Sequence, residues 1–205
     1  SEVDSTVSSI SISSDGTIVA VGSPGDFGVD SSGYVRIYQL NEGQWDQLGA
    51  SITGEAAGDQ SGVASLSSDG RTLAIGASHN DGSSSNSGHV RIFQLESDNW
   101  VQVGDDIDGS PGFDYKSGSA VSLSFDGRTV AIGSPLSSGT SFRSGHVRVY
   151  QLNDDDQWVQ LGSHLNGDDI SDLFGTSVSL SGDGRTLAVG APENDGVGLD
   201  QGYVQ

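Results

Sequence analysis

The sequence predicts an all-β fold, a β-propeller built of four-stranded antiparallel blades. Three observations predict it. An Asp-Gly pair recurs at Asp15-Gly16, Asp69-Gly70, Asp126-Gly127 and Asp183-Gly184, at spacings of 54, 57 and 57 residues. Short apolar runs of strand length flank each pair. The same succession of runs and turns follows each pair, so one unit is repeated along the chain.

The unit opens with a run in which Ser alternates with apolar residues: Ser9-Ile10-Ser11-Ile12-Ser13, Ser65-Leu66-Ser67, Ser122-Leu123-Ser124 and Ser177-Val178-Ser179-Leu180-Ser181. Period-two alternation marks a strand with one polar face. Asp-Gly then supplies the positive φ angles of a tight hairpin, and Asp15, Asp69, Asp126 and Asp183 are predicted to serve the turn by bonding nearby backbone N–H groups. The second run is continuously apolar, as in Ile18-Val19-Ala20-Val21 and Leu73-Ala74-Ile75, which suits a strand covered on both faces.

A Gly-rich loop leads to a third strand, at Tyr34 to Leu40, His89 to Leu95 and His146 to Leu152, with a fourth copy beginning at Tyr203. The fourth strand lies around Trp45 to Leu48, Trp100 to Val103 and Trp158 to Leu161, with the core Trp-x-Gln-Leu/Val-Gly. An acidic loop closes the unit. Four antiparallel strands in this length make one propeller blade. A β-sandwich of unrelated strands would leave the likeness of the copies unexplained, and a β-solenoid has shorter repeats. The blades are predicted at about residues 5–53, 60–108, 117–166 and 174–205, three complete and one partial, the last lacking its Trp-x-Gln-Leu strand.

Composition bounds the partners. The formal net charge is −20, with 28 acidic residues against 8 Lys and Arg, so phosphate polyanions and anionic membrane surfaces are repelled. There is no Cys, which excludes a disulfide scaffold and thiolate metal sites. No apolar run approaches the roughly 20 residues that span a bilayer as a helix. Nucleic acid and membrane insertion are therefore not expected. Acidity with scarce lysine fits a saline, marine-type extracellular medium.

Phe174-Gly175-Thr176-Ser177-Val178-Ser179-Leu180, followed by Gly190-Ala191-Pro192, resembles the FG-GAP repeat, which builds the propeller of integrin α-chains and related surface proteins. Gly22-Ser23-Pro24 and Gly133-Ser134-Pro135 keep the second mark, while Ser61-Gly62 and Ser117-Gly118 replace Phe-Gly in the first. The hairpin Ser-x-Asp-Gly-Arg-Thr-Leu-Ala is also similar to turns of WD-repeat and TolB-like propellers. The resemblance implies a binding or adhesion module at the cell surface, in a propeller of about six to eight blades. This chain would then be a piece of a larger ring or an open array completed by another chain. Integrin-like blades carry an Asp-rich calcium loop in the first hairpin. Here Ser181 and Thr186 stand where further carboxylates would be needed, so the hairpin lacks a calcium cage.

The loop between the second and third strands offers another set of oxygen ligands. Asp26 and Asp30, Asn80 and Asp81, and Asn194, Asp195 and Asp200 are calcium candidates there, or plain turn residues. No other cofactor is expected. The inter-blade loops carry Glu55 and Asp59, Asp108 and Asp114, and Asp168, Asp169 and Asp172, which would form a negative rim on one end. Arg36, Arg91 and Arg148 repeat on the third strand and suit pairing with an acidic neighbour. Trp45, Trp100 and Trp158 suit packing on the outer strand.

Catalysis has little support. His89 and His146 share a repeat position that Tyr34 and Tyr203 take in other copies, and neither a Gly-x-Ser-x-Gly elbow nor a metal-ligand His pair appears. The expectation is a non-catalytic extracellular module that engages a protein or glycan through its loops. The alternatives are a structural part of a larger extracellular assembly or fibre and, third, a glycan-active enzyme, since the turns distantly resemble the Asp-box of sialidases.

Overall fold

The computed structural model describes residues 7–25, 31–111, 114–195 and 202–205. Among them there is no helix, and the strands form four antiparallel sheets arranged as consecutive blades of a β-propeller. The first blade comprises β1 (Ser9–Ile12), β2 (Ile18–Ser23), β3 (Tyr34–Asn41), β4 (Gln44–Gln47) and β5 (Ile52–Thr53). The second comprises β6 (Ser61–Leu66), β7 (Thr72–Ala77), β8 (His89–Glu96), β9 (Asn99–Gln102) and β10 (Ile107–Asp108). The third comprises β11 (Ala120–Leu123), β12 (Thr129–Ser134), β13 (His146–Leu152), β14 (Trp158–Gln160) and β15 (Leu165–Asn166). The fourth contains β16 (Ser177–Leu180), β17 (Leu187–Ala191) and β18 (Tyr203–Val204).

Each full sheet runs from the inner strand outwards, and its outermost strand is broken in two. Both β4 and β5 pair with β3, as β9 and β10 pair with β8 and β14 and β15 with β13. The break falls at Gly49, Gly104 and Gly162, which all have positive φ. The Gln of the Trp-x-Gln motif supports it: Nε2 of Gln47, Gln102 and Gln160 donates to the carbonyl of the glycine two residues on, at 3.0, 3.3 and 3.1 Å. The Trp-x-Gln motif alone predicts a single fourth strand there. Two-residue pieces such as β5 leave no alternation from which to read them.

The hairpins differ in detail from a two-residue turn. Gly16, Gly70, Gly127 and Gly184 have positive φ, but the preceding Asp residues do not. Each glycine N–H bonds the carbonyl three residues back, as from Gly16 to Ser13 at 3.0 Å. A type I turn followed by a left-handed glycine needs no positive φ from the aspartate.

Cores lie between blades, one face on the next. Ile18, Ala20, Val35 and Ile37 of the first blade pack on Ala64, Leu66, Leu73, Ile75 and Phe93 of the second. Ala74, Val90 and Ile92 then meet Leu123, Val130 and Ile132, and Ala131 and Val147 meet Phe174, Val189 and Ala191. This two-sided burial explains the continuous apolar second strand. In the first three blades the Ser face of the inner strand turns to the next blade, while Ser177 and Ser179 of the fourth are exposed. Ser11 Oγ accepts the Leu66 N–H at 2.9 Å, Ser65 Oγ that of Leu123 at 3.0 Å, and Ser122 Oγ that of Leu180 at 3.0 Å. Along the inner strands the hydroxyls satisfy these amides, while backbone bonds join the blades at the hairpins, as from the Ser14 N–H to the Ser68 carbonyl at 2.8 Å. Ile10 and Ile12, at the positions of Ala64 and Leu66, are 69% and 58% exposed.

Candidate functional site

Strand direction divides the molecule into two ends. The hairpins after β1, β6, β11 and β16 gather at one end. The inter-blade loops and the loops before β8 and β13 gather at the other. The hairpin end is internally satisfied in every copy. Oδ1 of Asp15, Asp69, Asp126 and Asp183 accepts the Ser hydroxyl two residues back, at 2.7, 2.7, 2.6 and 2.6 Å. The same oxygen accepts the backbone N–H two residues on, at 3.0, 3.0, 3.0 and 3.1 Å. The Ser hydroxyl in turn accepts the first amide of the next strand, such as Ile18 and Thr72, both at 2.9 Å. The Ser13 hydroxyl and the Thr17 amide hold the Asp15 carboxyl below its usual range, and Ser181 and the Arg185 amide do the same for Asp183.

The loop end is irregular. Of the calcium candidates, Asn80, Asp81, Asn194 and Asp195 are described, while Asp26, Asp30 and Asp200 lie outside the described residues. Asn80 is buried. Its Oδ1 accepts the Gly82 N–H at 2.7 Å and its Nδ2 donates to Asp59 at 3.2 Å. Asp81 Oδ1 accepts the Asn86 N–H at 2.7 Å. These oxygens are engaged within their own loop. Asn194 sits at the matching place in the fourth blade, where its carbonyl accepts the Gly202 N–H at 3.2 Å.

The negative rim is thinner than expected. Asp59, Asp114 and Asp172 are buried, because each folds its carboxylate back onto the start of its own loop. Asp59 Oδ2 accepts the amides of Glu55 and Ala56 at 3.1 and 2.8 Å, Asp114 that of Ser110 at 2.6 Å, and Asp172 those of Asp168 and Asp169 at 3.1 and 2.8 Å. Glu55, Asp108, Asp168 and Asp169 remain exposed.

The repeated Arg and Trp tie blade to blade. Arg91 donates to the Thr53 carbonyl of the preceding blade at 2.6 Å, and Arg148 to that of Asp108 at 2.9 Å. Trp100 and Trp158 donate Nε1–H to the carbonyls of Leu48 and Val103 of the preceding blade at 3.1 and 3.0 Å. Trp45 is 47% exposed.

Two polar clusters occupy the same repeat position at the loop end. In the third blade Asp114 lies 2.6 Å from His146 Nε2 and 2.9 Å from an Arg148 guanidinium nitrogen, all three buried. Burial would raise the Asp114 carboxyl, but His146 and Arg148 outweigh it and hold the group below its usual range. The His164 ring sits 4.9 Å from that of His146, and both line a cleft of about 540 Å³ with Ser138, Gln160 and Asn166. Burial, with His146 and Arg148 nearby, pushes the His164 pKa down. In the second blade His89 faces Asp106 and Glu55 instead, with Nδ1 3.5 and 3.9 Å from their carboxylate oxygens. Another cleft, of about 340 Å³, opens between the loops before β8 and β13. Ser84, Tyr115, Leu136, Phe142 and Arg143 are among the residues that line it.

His89 and His146, expected as structural positions, each meet acidic neighbours with which the repeat alone does not connect them. Glu55, His89 and Asp106 are brought together from two blades, and no spacing along the chain announces that.

Residues 167–205 match the family model of the FG-GAP repeat, so the resemblance carried by Phe174-Gly175 and Gly190-Ala191-Pro192 is borne out there. No curated protein matches the chain in sequence. Among solved structures the chain is similar to the hydrazine synthase of Kuenenia stuttgartiensis, with a TM-score of 0.56 and 13% sequence identity. The similarity covers 93% of this chain and 44% of that one, so this chain spans less than half its length. At that identity the likeness is one of fold alone.

Proposed function

From blades of this type, we propose that the chain is a non-catalytic extracellular binding module that engages a protein or glycan through the loops at one end. The observation that carries this reading is the contrast between the two ends. The hairpin end repeats one closed hydrogen-bond pattern four times. At the loop end the capping carboxylates Asp59, Asp114 and Asp172 repeat, but the residues around them differ from copy to copy, and a cleft opens there flanked by exposed aromatics, with Phe142 63% and Tyr115 43% exposed. Variable loops on a rigid repeated scaffold are where recognition is built, and a solvent-facing aromatic stacks on a sugar ring or seats in a partner's pocket. Arg143 lies over the Phe142 ring at 5.3 Å and adds a donor beside it. The test is a glycan array and a pull-down, run with wild type and with Phe142→Ala and Tyr115→Ala. A ligand captured by wild type and lost in both variants supports the reading. Equal capture by all three overturns this placement.

A second reading, a structural part of a larger assembly, is favoured by the exposed apolar face of β1 at Ile10 and Ile12. Sedimentation would separate the two readings: self-association abolished by Ile10→Ser with Ile12→Ser favours assembly.

A further inference from the structure

We infer that Glu55, His89 and Asp106 form a binding site for one divalent metal ion of the zinc class. The cluster is independent of the proposed ligand cleft and of the calcium candidates. Its ligand atoms all lie within 4.8 Å of one another. The separations are informative. A hydrogen bond between imidazole and carboxylate would close to about 2.8 Å. Here Nδ1 of His89 stands 3.5 Å from Asp106 Oδ2 and 3.9 Å from Glu55 Oε2, too far for a good bond to either. A tetrahedral ion with bonds of about 2.1 Å holds its ligands about 3.4 Å apart. The observed spacing is near that edge.

His89 is the second, independent observation. Its side chain is 1% exposed, and Nδ1, the nitrogen turned to the carboxylates, comes no closer than 3.5 Å to either. A buried imidazole left unpaired is costly unless something else engages it. Its Nδ1 is aimed between two carboxylates that reach solvent, so the buried ring has an opening through which an ion can enter. Asp106 also lines a cleft of about 300 Å³ with Asp105, Asp108 and Trp158.

The scaffold holds the three groups in place. His89 is the first residue of β8 and pairs across the sheet with Asp108 of β10, with Asp106 just before that strand. Glu55 comes from the preceding blade, two residues after β5, and its amide is held by Asp59 at 3.1 Å. Strand ends give more precise ligands than free loops. Charge agrees in sign. Asp106, Glu55 and Asp108 set negative charge around His89, and Arg91, 3.8 Å from Glu55, offsets part of it. One imidazole with carboxylates is a donor set suited to zinc and its neighbours, with a further position open to water or an outside ligand.

The repeat itself supplies conservative variants. The first blade carries Tyr34 where the second has His89, and Ser51 where it has Asp106. Titration calorimetry with zinc chloride on wild type, His89→Tyr and Asp106→Ser tests the site, with circular dichroism to check folding. Wild type should bind one ion per chain, each variant should bind at least about 100-fold more weakly, and cobalt(II) should give visible absorption that both variants lose. No zinc binding by wild type overturns the inference. So does undiminished binding by either folded variant, because His146 and His164 remain in both.

Discussion

A β-carbon placed on Gly133 would lie 2.1 Å from the carbonyl oxygen of Gly175. These residues belong to the two marks of the repeat, the glycine of Gly-Ser-Pro in the third blade and the glycine of Phe-Gly in the fourth. The same approach joins Gly22 to the carbonyl of Gly62 and Gly76 to that of Gly118. The two marks are therefore the two halves of one backbone contact between consecutive blades, and a side chain on either would part the sheets. Gly133→Ala should destabilise the fold by about 1–3 kcal/mol, the cost of overpacking where backbone must move. Urea denaturation would read this as a lowered midpoint.

The seryl face of the inner strands makes a second prediction. Ser65 Oγ accepts the Leu123 amide of the next blade at 3.0 Å. In Ser65→Ala that amide stays buried without an acceptor, at a cost of about 1–3 kcal/mol. Hydrogen exchange should show loss of protection at Leu123.

The outer tryptophans separate by position. Trp158 bonds the Val103 carbonyl at 3.0 Å and packs on the core between the second and third blades, while Trp45 is 47% exposed. Trp158→Phe should cost about 1 kcal/mol for the lost bond plus some packing. Trp45→Phe should stay within about 0.5 kcal/mol. Thermal melts of the pair check the difference.

Asp114 predicts a pH dependence. Its folded carboxyl sits below the usual value, because the His146 contact and the Arg148 charge outweigh burial, with His164 close to His146. A depressed carboxyl contributes its full stability above the unfolded value of about 3.9 and loses it as pH falls through the lower folded value. Asp114→Asn should therefore be markedly less stable than wild type at pH 7. Its deficit should shrink as the pH is lowered below about 4, as followed by denaturation midpoints across the acid range.

Much of the fold was legible in the sequence because blade structure is local. Ser11 and Ile12 alternate, Asp15-Gly16 turns, Ile18 to Val21 runs apolar, and each signal lies within a dozen residues. The break in the outer strand was less legible. Gly49 and Gln47 carry it through a positive φ and one side-chain bond, neither of which has a periodicity. The buried state of Asp59, Asp114 and Asp172 was hidden for a similar reason. A carboxylate that caps its own loop is indistinguishable by residue type from one that faces water.

The sequence by itself determined the repeat, its strand order and the places of its turns, since these follow from backbone preferences and the alternation of apolar side chains. Tertiary structure alone decided which residues meet across blades. Gly133 reaches Gly175, and Glu55 reaches His89 and Asp106, because stacking twisted sheets brings together strand ends that lie far apart in the chain. Those distances depend on how sheets pack, and no window of sequence contains them.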